Sequence, residues 1–553
     1  MAFFILVICR LFYLQVVKYD FYRSRVLDQR TRIIVLSGDR GDIFERGGDV
    51  LATSISTYSI FAIPKDAKNK DLIASKLSRL LGASKYSILM KISSNKHFVF
   101  LERKVSKALW DKIKAADLKG IYALVEKERA YTRGRLASQI LGFVGVDNFG
   151  LSGIELGFDK YLMGVEGRLI IESDPSGREL VVSRAREIEP PTEGASVTLA
   201  IDAALQYMAE GELERAVKEH GAVSGTLIIM DVKEGDILAM ASKPDFDPNR
   251  YSEFPASNWD ERAVLNSYEP GSTFKLITAA AALEDGRVTV GERIYCPDRM
   301  DIGRTVIRNS HTLKPEEKSA DLSEILQRSI NTGAALVAMK VGEERFYSYI
   351  RLFGFGERTR IGIPGETPGI VRNFKNWSKP DIATISFGQG IAVTPLQMLS
   401  SVATIANFGI RVRPVLVKKI ESPDGSFVKV FPRQELGRVI SEKTAKELIS
   451  MMEDVVERGT GKPAGIKGFR VGGKTGTAQK VRPGGFGYWP GHYVASFVGI
   501  APASNPRLAA IVVIDDPRGI FWGETVAAPV FARVMEDALR YLNAPPDDIR
   551  EAK

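Results

Sequence analysis

A serine and a lysine three residues apart on a helix share one face, so a neutral lysine there can take the serine's proton and turn the hydroxyl into a nucleophile. In this chain of 553 residues the pattern occurs as Ser93/Lys96, Ser272/Lys275 and Ser426/Lys429. Ser426 sits in PDGSF between the strand-like VLVKKI and FVKVF, and Ser93 in a polar SSNK stretch, so both read as solvated surface serines. Ser272 differs. It follows Glu269-Pro270-Gly271, a turn that cannot continue a helix, and opens the apolar run TFKLITAAAAL. The spacing predicts a helix N-terminus at Ser272, where free backbone amides and the helix dipole favour negative charge on its oxygen. Taken alone, the pair reads more simply as an N-cap serine with a surface lysine.

Two further groups change that balance. Ser329-Ile330-Asn331 lies between the helical patterns LSEILQR and TGAALVAMKV, which suits a loop presenting a hydroxyl and an amide to a cleft. Ser-x-Asn alone is uninformative, since Ser93-Ser94-Asn95 matches it too. Lys474-Thr475-Gly476-Thr477 lies inside a strand-like run. On an edge strand beside a cleft, Lys474 would attract a substrate carboxylate, Thr475 and Thr477 would offer hydroxyls, and Gly476 would let a ligand's backbone come close.

These residues need elements to hold them. Helical periodicity covers about 203–219, 272–285, 323–342, 395–407 and 441–457, followed by the strand-like runs FRVGGKTGTAQKV, HYVASFVGIAP and RLAAIVVIDDP and a closing helix VAAPVFARVMEDALRYL. Three strands joined by short turns and covered by helices predict an antiparallel sheet in an α+β domain. The Pro/Gly-rich EIEPPTEGAS near residue 190 reads as a boundary. Before it, β-like RIIVLS, YSIFAIP and HFVFLER mix with the helical DLIASKLSRLLG and show no catalytic grouping. There RGDIFERGG reads as a tight turn tied down by Arg–carboxylate pairs.

With 44% hydrophobic and 26% charged residues the chain is neither disordered nor a membrane-filling transporter. The net charge of +9 favours an anionic neighbour, but Lys and Arg are interleaved with acids, unlike a nucleic-acid arm. Two cysteines, Cys9 and Cys296, and four scattered histidines give neither a disulfide framework nor a zinc pattern. Met1–Val17 is apolar except for Arg10 and Gln15, shorter than the roughly 20 residues of a bilayer span. It is expected to be the outer end of a truncated membrane anchor, with Arg10 and Lys18 near the lipid surface; a buried N-terminal helix is the plainer alternative.

In the order S-x-x-K, S-x-N, K-T-G the three groups form the set shared by penicillin-binding proteins and class A β-lactamases. The chain resembles the class B penicillin-binding proteins, the peptidoglycan D,D-transpeptidases. RGDIFERGGDVLATS is similar to their R-G-x-I-x-D-R-x-G signature, with Glu45 in place of Asp, and LSGIELGFDKYLMGVEG, YEPGSTFK, FGQGIAVTPLQM and GGKTGTAQ resemble further family blocks. The Glu-Pro-Gly-Ser form and the short C-terminal tail resemble the cell-division (septal) branch more than the elongation branch. The resemblance implies a membrane anchor at 1–17, a mixed α/β dimerisation or pedestal module at 18–190, and a transpeptidase domain of the penicillin-binding, serine β-lactamase-like fold at 195–545.

It implies acyl transfer on stem peptides ending in D-Ala-D-Ala. Ser272 would be the nucleophile, Lys275 its base and Ser329 the proton relay. Asn331 would hold the peptide amide, and Lys474, Thr475 and Thr477 the terminal carboxylate. The oxyanion hole would use the backbone N–H groups of Ser272 and Thr477. β-Lactams would trap Ser272, and no cofactor or metal is called for. A lipid II polymerase and other divisome proteins, and no nucleic acid, are the implied partners, with the catalytic domain on the outer side of the bacterial inner membrane. The rivals are a D,D-carboxypeptidase or β-lactamase, in which Glu366 is the carboxylate nearest the offset of a deacylating glutamate, and a non-catalytic β-lactam sensor or scaffold. Complete Ser272, Lys275, Ser329 and Lys474 count against the last.

Overall fold

The run TLIIM and the segment ILAMA that follows it carry apolar side chains on both faces of the pleat, which only a strand covered on both sides can hold. In the computed structural model, which describes residues 1–22, 25, 31–36, 38–172, 187–303, 305–482, 484 and 487–547, these runs are central strands. The N-terminal half supplies α1 (Ala2–Phe12), β1 (Thr31–Leu36), β2 (Ile43–Phe44), β3 (Val50–Ala62), α2 (Lys70–Leu81), β4 (Val99–Val105), β5 (Ile121–Tyr131), β6 (Gly167–Glu172) and β7 (Glu187–Glu189). Then come β8 (Ser196–Leu199), α3 (Ala203–Glu219), β9 (Ser224–Asp231) and β10 (Ile237–Lys243). The site-bearing part continues with α4 (Lys275–Glu284), α5 (Leu322–Gln327), α6 (Asn331–Val341), α7 (Glu343–Leu352), α8 (Pro395–Ala406), β11 (Val417–Glu421) and β12 (Val428–Val430). It closes with α9 (Glu442–Arg458), β13 (Gly472–Val481), β14 (Tyr488–Ala501), β15 (Leu508–Asp515) and α10 (Ala528–Tyr541).

The catalytic-half sheet is antiparallel in the order β10-β9-β15-β14-β13. The three C-terminal strands were legible in the sequence; β9 and β10 were missed because, buried on both faces, they lack the alternation that marks a half-buried strand. Each face of the sheet carries its own core. Leu276, Leu396, Met398 and Val402 of α4 and α8 pack over Ile228, Val498 and Ile511 on one face. On the other, Leu205, Leu213, Phe531 and Val534 of α3 and α10 cover Leu227, Phe497 and Val512. Phe497 and Phe531 meet with ring centroids 4.8 Å apart, and burying each such side chain is worth about 1.5–3 kcal/mol. Helix α8 starts in a capping box, with Thr394 and Gln397 exchanging bonds and Pro395 in the first turn. All twelve of its residues are buried, as its apolar sequence requires.

A second sheet joins the halves in the order β12-β11-β8-β2-β3-β4, with β5 along β3. Strand β8, just past the Pro/Gly-rich break, pairs parallel to β2 through Ile43 and Val197 and antiparallel to β11 through Leu199 and Val417. The hairpin bearing Ser426 therefore adds to the N-terminal sheet, a long-range pairing with no local signature. Beside it, β1, β6 and β7 form a three-stranded antiparallel sheet.

The turn between β2 and β3 forms as expected, with Gly48 at φ +96°. Its carboxylate and arginine partners come from elsewhere in the chain. Asp49 pairs with Arg133, and Arg40 reaches Glu155 (2.6 Å) and Asp159 (2.7 Å) of the GIELGFD segment. Helix α1 runs on as a π-helical turn, Tyr13–Val17, with exposed apolar side chains. Among the described residues no helix is long and apolar enough to cross a membrane.

Candidate active site

Ser272 sits in a 3-10 turn, Gly271–Phe274, one turn ahead of α4, which begins at Lys275. No side chain caps either turn, so the serine is not an N-cap. The turn is fixed from outside. The Gly271 N–H donates to the Gly388 carbonyl (3.2 Å), and a Cβ at Gly388 would lie 2.2 Å from the Gly271 oxygen. Glu269 accepts from the Gly390 N–H (2.8 Å) and the Tyr488 hydroxyl (3.0 Å), and burial raises its pKa. FGQG and YEPGS thus form one packed unit.

Lys275 is 1% exposed, not the solvated residue of the plainer reading. Its Nζ donates to the Ser329 carbonyl (2.6 Å), the Asn331 Oδ1 (2.7 Å) and the Ser329 Oγ (3.2 Å). The predicted helix over 323–342 breaks here into α5 and α6. The Ile330 N–H reaches back to the Ile325 carbonyl, and Ser329 takes φ +56°, the left-handed position after a helix that usually holds glycine. That conformation costs a serine about 1–2 kcal/mol, and here it presents both the carbonyl and the hydroxyl of Ser329 to Lys275. Asn331 opens α6 instead of lying in the loop, and its amide is occupied at both ends, since Nδ2 donates to the Arg308 carbonyl (2.9 Å).

Edge strand β13 pairs with β14 through Lys474–Val498, Thr475–Phe497, Gly476–Ser496 and Thr477–Ala495. Lys474 is fully buried behind the cleft, not on its wall; its Nζ reaches the Ser329 Oγ, the Thr475 Oγ1 and the Thr475 carbonyl, each at 3.3 Å. Gly476 serves packing: a Cβ there would lie 2.4 Å from the Ser496 Oγ and 3.0 Å from both the Pro270 oxygen and the Thr273 Cγ2. The glycine lets the strand lie against the nucleophile turn. Thr475 shares a 2.8 Å hydroxyl contact with Thr460, and Thr477 accepts from the Gly523 N–H (3.0 Å).

The cleft these elements enclose has a volume of about 160 Å³, and Ser272, Ser329, Asn331, Thr475 and Thr477 line it. Sequence reasoning missed Thr460, Arg328, Trp522 and Glu524, which also line it. Thr460 lies in the loop after α9 and Glu524 in a short turn after β15, and neither segment carries a spacing that points to Ser272. Among the described residues no carboxylate bonds either lysine. Burial, and then the charge of Lys474, push Lys275 well below the usual lysine range. Burial pushes Lys474 down to about 7, with Glu524 opposing the shift. A neutral Lys275 has two N–H donors and a lone pair, so one of its present contacts is free to become a bond it accepts.

The other two Ser-x-x-Lys pairs do not reach this cleft: Ser93 is exposed after a short helix, and Ser426 is tied to Asp424 in its hairpin turn. The Glu366 carboxylate is saturated by the Thr359 N–H and hydroxyl and the Arg360 N–H, a loop-holding role.

The family model described as the penicillin binding protein transpeptidase domain matches residues 225–536, and that of the penicillin-binding protein dimerisation domain matches 35–199. The chain is 35% identical to the stage V sporulation protein D of Bacillus subtilis, over 98% of this chain and 84% of the relative. It is 34% identical to the peptidoglycan D,D-transpeptidase FtsI of Escherichia coli, over 97% and 90%. Among solved structures it is similar to penicillin-binding protein 3 of Mycobacterium tuberculosis complexed with aztreonam (TM-score 0.72, 27% identity, covering 93% of this chain and 98% of that one).

Proposed function

The chain belongs to the penicillin-binding proteins, and on that premise we propose that it is a division-type peptidoglycan D,D-transpeptidase acting through a serine acyl-enzyme. Lys275 carries the reading: a fully buried amine with no carboxylate partner, driven toward its neutral form, one helical turn from a serine whose hydroxyl caps nothing.

In this mechanism Lys275 takes the Ser272 proton as Oγ attacks the carbonyl of the penultimate D-alanine. The oxyanion is held by the N–H groups of Ser272 and Thr477. Ser329, in contact with both lysines, passes a proton to the departing D-alanine nitrogen. Thr475 and Thr477 bind the terminal carboxylate, while Lys474 supplies positive charge from behind the strand, and Asn331 orients both Lys275 and the peptide. An amine from a neighbouring stem peptide then takes the acyl group from Ser272, which recovers its proton. The saturated carboxylate of Glu366 supports transfer over a glutamate-driven hydrolase.

The same reading makes 18–190 a pedestal and 195–545 the transpeptidase domain, held outside the bacterial inner membrane through the N-terminal segment, beside a lipid II polymerase and other divisome proteins. The decisive experiment is incubation with a fluorescent penicillin and identification of the labelled peptide by mass spectrometry. Stoichiometric, long-lived label on Ser272, abolished by Ser272→Ala and untouched by Ser93→Ala or Ser426→Ala, is expected. Label at another serine, or rapid release of the ester, overturns it.

A further inference from the structure

On a different part of the catalytic half lies a larger cavity, of about 620 Å³, between the end of α7, the loop Phe353–Arg360, α8 and the strand Ile410–Val412. Its lining carries Arg358, Arg360, Arg411 and Arg413 against a single carboxylate, Glu357, which Arg351 already takes (2.8 Å). Among the described residues none of the four lining arginines is paired with a carboxylate. Arg358 donates to the Glu366 backbone carbonyl (2.8 Å) and Arg411 to that of Leu352 (3.3 Å). Among the described residues the side chains of Arg360 and Arg413 make no hydrogen bond or ion pair.

The cavity is built around these groups. Gly354 and Gly356 have φ of +94° and +79°, and a Cβ at Gly354 would lie 2.1 Å from the Arg411 Nη2 and 2.4 Å from its Cζ. One at Gly356 would lie 2.2 Å from the Arg351 Nη1. The two glycines therefore let guanidinium groups lie flat on the backbone, crowded together. Burial, and the like charges of Arg351 and Arg413, lower the pKa of Arg411 against the pull of Glu357. Gathering like charges without counter-ions is unfavourable. Arg411 and Arg413 are half-buried and Arg358 and Arg360 exposed around one cavity, which is thereby complementary to an anion.

We propose that this arginine-lined cavity is a binding site for a phosphate-bearing anion, separate from the Ser272 cleft. Guanidinium forks match the oxygens of carboxylate and phosphate alike. Charge favours phosphate, since a single carboxylate would leave most of the excess positive charge unanswered. The phosphate could be a soluble ester or pyrophosphate, or the headgroup of a membrane lipid, and both use the same contacts.

The test uses the full chain, titrated calorimetrically with inorganic pyrophosphate at fixed ionic strength, with acetate as the monovalent control, and co-sedimented with phosphatidylglycerol and with phosphatidylcholine vesicles. The variant is Arg360→Gln/Arg413→Gln, which removes no internal bond; labelling by fluorescent penicillin on the same samples reports that the fold is intact. Saturable 1:1 pyrophosphate binding, weakened at least tenfold in the variant while penicillin labelling is unchanged, is expected. Sedimentation with phosphatidylglycerol but not phosphatidylcholine, lost in the variant, also supports the site and assigns the phosphate to lipid; pyrophosphate binding without sedimentation assigns it to a soluble ligand. Binding of neither, binding of acetate equal to that of pyrophosphate, or equal binding by wild type and variant overturns the proposal.

Discussion

In the N-terminal half, Arg40 and Arg129 each bring Nε to 2.6 Å from the carboxylate of the fully buried Glu155. In the catalytic half, Lys275 and Lys474 are just as buried, yet each bonds only to carbonyls, an amide and hydroxyls. Burial penalises the cation in both places, and the outcome turns on the partner. Arg40 ends above its ordinary pKa because Glu155 and Asp159 outweigh its desolvation, whereas the lysines are driven toward neutrality. The first cluster pins RGDIFERGG to GIELGFD and serves structure. In the proposed mechanism the second keeps Lys275 available as a base. A buried cation in this chain is thus structural or chemical according to whether a carboxylate sits beside it.

The hardest blow to this contrast is Lys275→Arg, which keeps the charge and removes the base, because guanidinium does not deprotonate in a protein. Second-order acylation by a β-lactam should fall about 10²–10⁴-fold, as far as in Lys275→Ala. Retention of a substantial fraction of the rate would show Lys275 to be a fixed charge. In the wild type the acylation rate should rise with pH through a midpoint below the roughly 10.4 of free lysine, reported by the coupled lysines as a pair.

At the other cluster, Glu155→Ala leaves the buried Arg129 without a carboxylate and Arg40 with Asp159 alone. Unfolding in urea should show a loss of about 3–5 kcal/mol, while the folded fraction still acylates at the wild-type rate. Reduced acylation per folded molecule would mean that the N-terminal cluster also shapes the active site.

Lys474→Met sharpens the comparison through stability. Between pH 7, near the folded pKa of Lys474, and about 10.4, its unfolded value, the unfolded chain holds the extra proton. Wild-type stability therefore gains from this residue as pH rises across that window and carries the penalty below it, with a slope of at most about 1.4 kcal/mol per pH unit. The methionine variant should lose that slope; an unchanged pH dependence would mean that Lys474 stays charged in the fold.

The smallest stability effect expected is from Ser329→Gly. Glycine relieves the left-handed strain and should stabilise the chain by about 1 kcal/mol in thermal unfolding, while the missing hydroxyl lowers turnover. A variant no more stable than wild type would show that the Lys275 contacts already compensate the strain.

Much of the site was legible because its chemistry is written in short motifs: Ser272 after a Pro-Gly turn, Ser329 between two helical patterns, and Lys474-Thr475-Gly476 in a strand. What the motifs imply locally was less reliable. Gly476 also makes room for the Pro270–Thr273 turn, and Lys474, read as standing beside the cleft, is buried behind it. In the fold, β9 and β10 escaped because burial on both faces erases the alternation by which strands are recognised.

Residue type and spacing by themselves determined which groups could take part: three serine–lysine pairs, two Ser-x-Asn matches and one Lys-Thr-Gly-Thr, together with the helices that carry them. Tertiary structure alone decided that only Ser272/Lys275, Ser329/Asn331 and Lys474 converge, and that Lys275 lies beside a second cation with no carboxylate. Convergence depends on contacts between residues 54 to 145 positions apart. The pKa of an amine depends on its distance from other charges and from water, and local sequence fixes neither.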